Sequence, residues 1–310
     1  MLFASNATSN GASRPGLPYT FPKKRISGYP CVMLKIRTMT TPEVSLAVEW
    51  AAAEGWNPGL ADIEAFLAED PGAFLLAEAA GQPIACISAV RYGADFGFIG
   101  FYIVAPGMRG RGHGLALWQA AMARLEGRVI GLDGVVAQQA NYRKSGFSFS
   151  WNNARYTGRA RPAPPERPLP LAASVPFEAL VSYDAAHFGC ARPAFLRAWI
   201  DTPGHLALAL PAGHGGELRG FGVARPCREG VKIGPLFAQS PEDAALLLAS
   251  LGQHGTGPLT LDVPEDHLAA VRLAQALGLE KVFETARMYA GPPPAMRRRE
   301  IFGITSFELG

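Results

Sequence analysis

No stretch of this 310-residue chain is apolar for long enough to span a bilayer, and its first thirty residues hold no apolar core of the kind a secretory signal needs. The four cysteines, Cys31, Cys86, Cys190 and Cys227, are scattered without a Cys-x-x-Cys pair. That argues against a disulfide framework or a zinc site and fits reduced thiols in a cytoplasmic protein. The six histidines lack ligand spacing, so no metal is expected. Neither sign of charge dominates: a net charge of +3 gives no bulk electrostatic reason to bind nucleic acid. The basic cluster near the end, Arg297-Arg298-Arg299, reads as a solvated tail segment. Acidic residues are missing from Met1 to Pro30, a Ser-, Gly-, Pro- and Asn-rich stretch carrying Lys23-Lys24-Arg25. Residues 1–32 are therefore expected to form a disordered extension, a transit peptide being the other reading, and Met33 opens the first strand-like run.

What the chain does have is apolar content, 48% against 18% charged, and length enough for two domains. Its organising stretch runs from Phe96 to Gly127. The apolar run Phe96–Val104 reads as a strand, Arg109-Gly-Arg-Gly-His-Gly114 as a glycine-rich basic turn, and Leu115–Leu125 as a helix. Glycines let the backbone turn N–H groups toward one point, and the helix N-terminus adds its own free N–H groups and the positive end of its dipole. Together with Arg109 and Arg111 this predicts a phosphate or pyrophosphate cradle, the alternative being a simple connecting loop. It is not a nucleotide P-loop, since no Gly-Lys-Ser or Gly-Lys-Thr follows. Its glycine spacing also departs from the dinucleotide fingerprint.

The segment resembles motif A of the GNAT superfamily of N-acetyltransferases, Val-x-Pro-x-x-Arg-Gly-x-Gly-x-Gly, through Val104, Pro106, Arg109, Gly110, Gly112 and Gly114. The order of elements from about residue 34 to 158, a helix pair, antiparallel strands, cradle, helix, strand, helix and strand, resembles the same family. The resemblance implies an α+β GNAT fold, a mixed and mostly antiparallel sheet flanked by helices. It also implies acetyl-CoA as cofactor, held by the cradle residues Arg109, Gly110, Arg111, Gly112, His113 and Gly114. Ile103 and Val104 would face the pantetheine arm and polarise the thioester carbonyl with backbone N–H groups. Tyr142-Arg-Lys-Ser-Gly-Phe147 is similar to the family's Tyr-x-Lys-x-Gly-Phe segment, with Asn141 and Lys144 on the cofactor side. In that family the tyrosine is commonly the general acid that protonates the leaving thiolate. The bland reading of Tyr142 is an amphipathic core residue with its hydroxyl in water.

The base that deprotonates the acceptor amine is assigned to Glu54, with Trp56 and Asn57 lining the acceptor pocket. The same Glu54-Gly-Trp-Asn-Pro-Gly59 turn could equally be a helix stop around a core tryptophan. Asp95 and Asp133 lie near strands without an assignable role.

Gly158–Pro170 is dense in proline and must be extended. Beyond it the element order repeats, with Phe237-Ala-Gln-Ser-Pro241 where the cradle should be, so the second half reads as a degenerate GNAT-like domain without a usual coenzyme A site. The expected domains are 33–158 (catalytic), 159–172 (linker) and 173–310 (degenerate), the last shaping the acceptor pocket or a homodimer. Asp262, on the second domain's central strand, either faces a substrate cleft or is a surface carboxylate, the latter being preferred. The expected activity is acetyl transfer to a small-molecule amine by direct attack in a ternary complex. A non-catalytic acyl-CoA-binding module and a protein N-acetyltransferase are the rivals.

Overall fold

The computed structural model describes residues 34–213 and 217–310, so the expected N-terminal extension lies outside the described residues. The first half contains β1 (Leu34–Thr38), α1 (Thr41–Ala53), α2 (Asp62–Glu69), β2 (Phe74–Ala79), β3 (Gln82–Tyr92) and β4 (Phe96–Val104). It continues with α3 (His113–Arg124), β5 (Val129–Val135), α4 (Gln139–Lys144) and β6 (Phe147–Gly158). The second half contains α5 (Phe177–Phe188), α6 (Pro193–Asp201), β7 (Leu206–Pro211), β8 (Leu218–Pro226) and β9 (Val231–Ala238). Then come α7 (Pro241–Leu251), β10 (Leu259–Pro264), α8 (Leu268–Ala276), β11 (Glu280–Ala290) and the short β12 (Ile301–Gly303).

Local chemistry sets these boundaries. The Glu43 carboxylate accepts hydrogen bonds from the Thr40 backbone N–H (2.8 Å) and hydroxyl (2.9 Å), which starts α1 with Pro42 in its first turn. Val44, Ala47, Val48 and Ala51 are the buried face that the spacing predicts. β4 and β9 are apolar almost throughout and are covered on both faces.

Among the described residues one twelve-stranded sheet takes in both halves, in the order β1-β2-β3-β4-β5-β11-β6-β10-β9-β8-β7, with β12 beside β9. The last long strand of each half is exchanged. β11 pairs antiparallel with β5 of the first half, and β6 pairs antiparallel with β10 of the second. Hydrophobic patterning marks both strands correctly but does not say which neighbour each will take.

The exchange brings together two cross-strand ion pairs in equivalent places. Arg287 on β11 stands opposite Asp133 on β5 and grips it with Nε at 2.8 Å and a terminal nitrogen at 2.6 Å. Arg155 on β6 stands opposite Asp262 on β10, with 2.7 and 2.8 Å hydrogen bonds. All four side chains are nearly or fully buried. Asp262 is thus neither a surface carboxylate nor a cleft-facing one. Burial opposes its ionisation, but Arg155, backed by Lys232 and Arg225, outweighs burial and holds the carboxyl below its ordinary value.

Both halves also open the same pair of parallel strands. β4 and β5 pair only from Phe96/Val129 to Ile99/Leu132, and β9 and β10 only from Val231/Leu259 to Ile233/Leu261. In the second half β12 pairs with β9 past the point of divergence, at Phe237 and Leu236. The Ile304 N–H then donates to the Asp262 carbonyl at 2.9 Å, closing the gap on the β10 side.

The chain that follows Arg297-Arg298-Arg299 is no solvated tail, because residues 301–310 are all buried. Two of the arginines make contacts of their own. Arg298 pairs with Asp266 and stacks 4.1 Å from the Trp151 ring, and the Arg297 backbone N–H donates to the Ala186 carbonyl.

An Asp262→Ala variant leaves the Arg155 guanidinium buried and unpaired, and should lose about 3–5 kcal/mol of stability in urea unfolding. Replacing both partners together, Arg155→Met with Asp262→Leu, should recover most of that loss.

Candidate active site

Where β4 and β5 separate, the sheet holds a cavity of about 100 Å³. β4 contributes residues 99–104 and β5 contributes Leu132, Asp133, Gly134 and Val135. β4 is irregular here: Phe101 and Tyr102 together face the single residue Ile87 on β3, and Phe101 has φ +47°, in the left-handed region. Such a bulge re-aims backbone groups at a strand's edge. A second cavity of about 290 Å³ opens beside the first and is lined by Gly110, Gly112, Gly114, Asn141, Lys144 and Ser145 together with Met108 and Leu115. Val104, Arg109, Trp118 and Tyr142 border both.

The second cavity has the form of an anion cradle. Gly110 and Gly112 take φ of +75° and +81°, and Gly112 is the N-cap of α3, so the helix starts at His113 with its free N–H groups at the turn. The fit of this turn to a pyrophosphate rests on those backbone amides and on Lys144 at the rim. The Arg109 guanidinium is turned the other way: Nε donates to the Val104 carbonyl at 2.8 Å and a terminal nitrogen to Glu54 Oε1 at 2.5 Å. Arg111 and His113, expected in the cradle, are not among the residues that line this cavity; Arg111 is exposed and His113 half-buried. Burial and the nearby Arg111 charge push the His113 imidazole below its ordinary value.

Tyr142 stands where the cavities meet. Its ring lies against β5 at Gly134, where any Cβ would come within 2.2 Å of it, and beside Trp118 at 5.6 Å between centroids. Burial pushes the phenol up to about 12, so it is a proton donor throughout the neutral range. Asn141 reaches the second cavity and also donates to Gln138 Oε1 at 2.7 Å.

Glu54 and Trp56, expected to serve the acceptor, line the first cavity. Glu54 is held in the Arg109 ion pair rather than standing open to substrate. Asn57 is elsewhere. Its side chain exchanges two 2.9 Å hydrogen bonds with the Glu229 backbone and its carbonyl accepts from Lys232 at 3.0 Å, so it fastens the halves together. Asp262 does not line the cavity but holds Arg155, which does and which also donates to the Trp56 carbonyl at 2.6 Å.

Four cavity residues come from the second half, Phe283 and Thr285 on β11 and Phe307 and Glu308 beyond β12. None was expected in the site. Asp133, which had no expected role, is a wall residue held by Arg287 and by Asn153 Nδ2 at 2.8 Å, and burial pushes its carboxyl above its ordinary value. A signal for the ion-paired set was present: Leu-Asp recurs at 132–133 and 261–262, and Ala-Arg at 154–155 and 286–287.

Comparison with known proteins supports the same assignment for both halves. Residues 37–147 match the model of the acetyltransferase (GNAT) family, and residues 180–303 match that of an acetyltransferase (GNAT) domain. The chain is 32% identical over 272 residues to the holothin acyltransferase of Pseudoalteromonas sp. (strain SANK 73390), covering 86% of this chain and 92% of that one. It is 24% identical to YitH, an uncharacterized N-acetyltransferase of Bacillus subtilis (strain 168), covering 83% and 91% of the two chains. Among solved structures, a candidate acetyltransferase from Pyrococcus horikoshii superposes with a TM-score of 0.77 at 22% identity, over 93% of this chain and 99% of that one. A tandem GNAT protein from the clavulanic acid biosynthesis pathway superposes with a TM-score of 0.55 at 18% identity, covering 84% and 100%. These likenesses in fold agree with the two family matches and with the relative that runs nearly the full length, and the chain belongs to the GNAT acetyltransferases as a tandem of two GNAT-like domains.

Proposed function

We propose that the protein is an acetyl-CoA-dependent N-acetyltransferase that acts on a small-molecule amine through a ternary complex. The observation that carries this reading is the position of Tyr142, a buried phenol that borders both the cradle cavity and the cavity between β4 and β5. We place the catalytic domain at residues 33–158, a linker at 159–172 and the degenerate domain at 173–310.

Acetyl-CoA, when bound, supplies an activated thioester. The chain would hold its pyrophosphate with the amides of Gly110, Gly112 and Gly114 and the start of α3. The open edge of β4 near Ile103 and Val104 would face the pantetheine arm, and the same edge would polarise the thioester carbonyl. Tyr142 would give its proton to the departing sulfur. The Glu54–Arg109 pair ties the cradle turn to the acceptor wall, so both cavities keep a fixed relation.

A small acceptor fits better than a polypeptide. The cavity between β4 and β5 is small, about 100 Å³, and Phe283, Thr285, Phe307 and Glu308 of the second half form part of its wall. The holothin acyltransferase, similar along nearly all its length, is named for action on holothin, which favours the same reading.

Calorimetry should find one acetyl-CoA site, abolished by Gly112→Asp; two sites would contradict the reading of the second half as degenerate. Tyr142→Phe should retain that binding while kcat falls about 100-fold or more, the usual scale of a general acid. The phenol's state can be read directly. In a spectrophotometric titration near 295 nm, the component missing from Tyr142→Phe should appear near pH 12 and not near the ordinary value of about 10. Because the folded value is raised, the stability that comes from keeping this phenol neutral is intact below about pH 10. It should decline as pH climbs toward the folded value.

A further inference from the structure

The cavity between β4 and β5 is lined by three acidic residues, Glu54, Asp133 and Glu308. Two are already neutralised. Glu54 is paired with Arg109, and Asp133 is gripped by Arg287 and hydrogen-bonded by Asn153. Glu308 is different: among the described residues its carboxylate accepts no hydrogen bond and makes no ion pair, although the residue is only 5% exposed. The cations that face it are spoken for. Arg155 on β6 holds Asp262 and the Trp56 carbonyl, Arg225 on β8 holds Asp62, and Lys232 on β9 donates to the Asn57 carbonyl.

The segment that carries Glu308 is fixed at almost every other polar point. Arg192 donates to the Thr305 hydroxyl at 2.7 Å, the Leu309 N–H donates to Ser306 Oγ at 3.1 Å, and the Tyr92 hydroxyl donates to the Leu309 carbonyl at 3.1 Å. On β4 the absence of a side chain at Gly100 admits the Glu308 backbone, since a Cβ there would lie 2.0 Å from the Glu308 carbonyl oxygen. Phe307 packs between the Arg155 guanidinium, 4.8 Å from its ring centre, and Phe283 at 5.9 Å. A buried carboxylate without a direct partner is costly unless a cation meets it.

Resting on the function proposed above, we infer that Glu308 is a catalytic residue: it receives the acceptor as an ammonium ion and takes its proton, so that the second half supplies the base of the first half's reaction. Glu308 takes one proton from the ammonium nitrogen, whose lone pair then forms the C–N bond. Tyr142 gives its phenolic proton to the sulfur, which leaves with the electron pair of the broken C–S bond. The nitrogen's second surplus proton returns to the phenolate, and the Glu308 carboxyl releases its own to water. Glu54, the residue expected for this role, instead holds Arg109.

The test compares wild type, Glu308→Gln and Glu308→Asp for acetyl-CoA binding by calorimetry and for thiol release with a panel of primary alkyl and aryl amines, benzylamine and tyramine among them. Glu308→Gln should bind acetyl-CoA as wild type does but lose about 100-fold or more in kcat/KM near pH 7, the deficit narrowing near pH 10 where the amine enters neutral. Glu308→Asp keeps the charge and should retain a measurable rate with a wild-type pH dependence; the two variants falling together at every pH would indicate a structural role and overturn the proposal. Wild-type kcat/KM and pH profile in Glu308→Gln would overturn it too, leaving the proposed function standing. A wild type that acetylates none of the panel would overturn the proposed function itself.

Discussion

Two parallel strands that part company leave backbone N–H and C=O groups facing a gap, and a buried gap of that kind has to be filled by something that hydrogen-bonds. This chain meets the constraint twice, at β4/β5 and at β9/β10, and answers it in two ways. In the second half its own residues 301–304 close the opening, pairing with β9 and donating to the Asp262 carbonyl. In the first half the gap stays open as a cavity next to a glycine turn. The halves differ in what lies at the gap: one is closed by polypeptide, the other opens into a cavity.

The exchanged strands decide what surrounds that open cavity. β11 delivers Arg287 to Asp133, and the segment after β12 delivers Phe307 and Glu308, so part of the cavity wall is encoded far along the chain from the glycine turn. The Asp62–Arg225 pair and the Asn57 bridge to Glu229 add further ties between the halves. Ion pairs that are buried so completely contribute less through their attraction than through the penalty for misplacing either partner, which makes them devices of register. The second half thus forms part of the wall of the first half's cavity, even though its own gap is closed.

The sequence made the elements legible because periodicity, caps and turn glycines are local. Phe96–Val104 reads as a strand and is one, and the Thr40/Glu43 box starts a helix where it should. The cradle could be read for the same reason, since Gly110, Gly112 and the start of α3 adjoin in the chain. Partnership was not legible. Nothing in Phe147–Gly158 says that it will lie between β11 and β10, and so nothing marked Asp262 as the clasp of Arg155. Glu308 was hidden by the same cause: it follows an apolar run that looks like an ordinary terminal strand, and its importance appears only once Gly100 is seen beneath it. Arg109 borders the cradle cavity, but its pairing with Glu54, 55 positions earlier, could not be read from the charge pattern.

The crossed strands also impose an order of events on synthesis. Asp133 on β5 waits for Arg287, 154 positions further along, and Arg155 on β6 waits for Asp262, 107 positions further along. Until β11 has left the ribosome, β5 presents a bare apolar edge and β6 lacks one of its two neighbours; until β10 has emerged, β6 lacks both. Long-range pairings of this sort form late and slowly, and an open edge can be captured by another nascent chain. The two halves therefore cannot mature as separate vectorial units, and the first to be translated is finished only by the last.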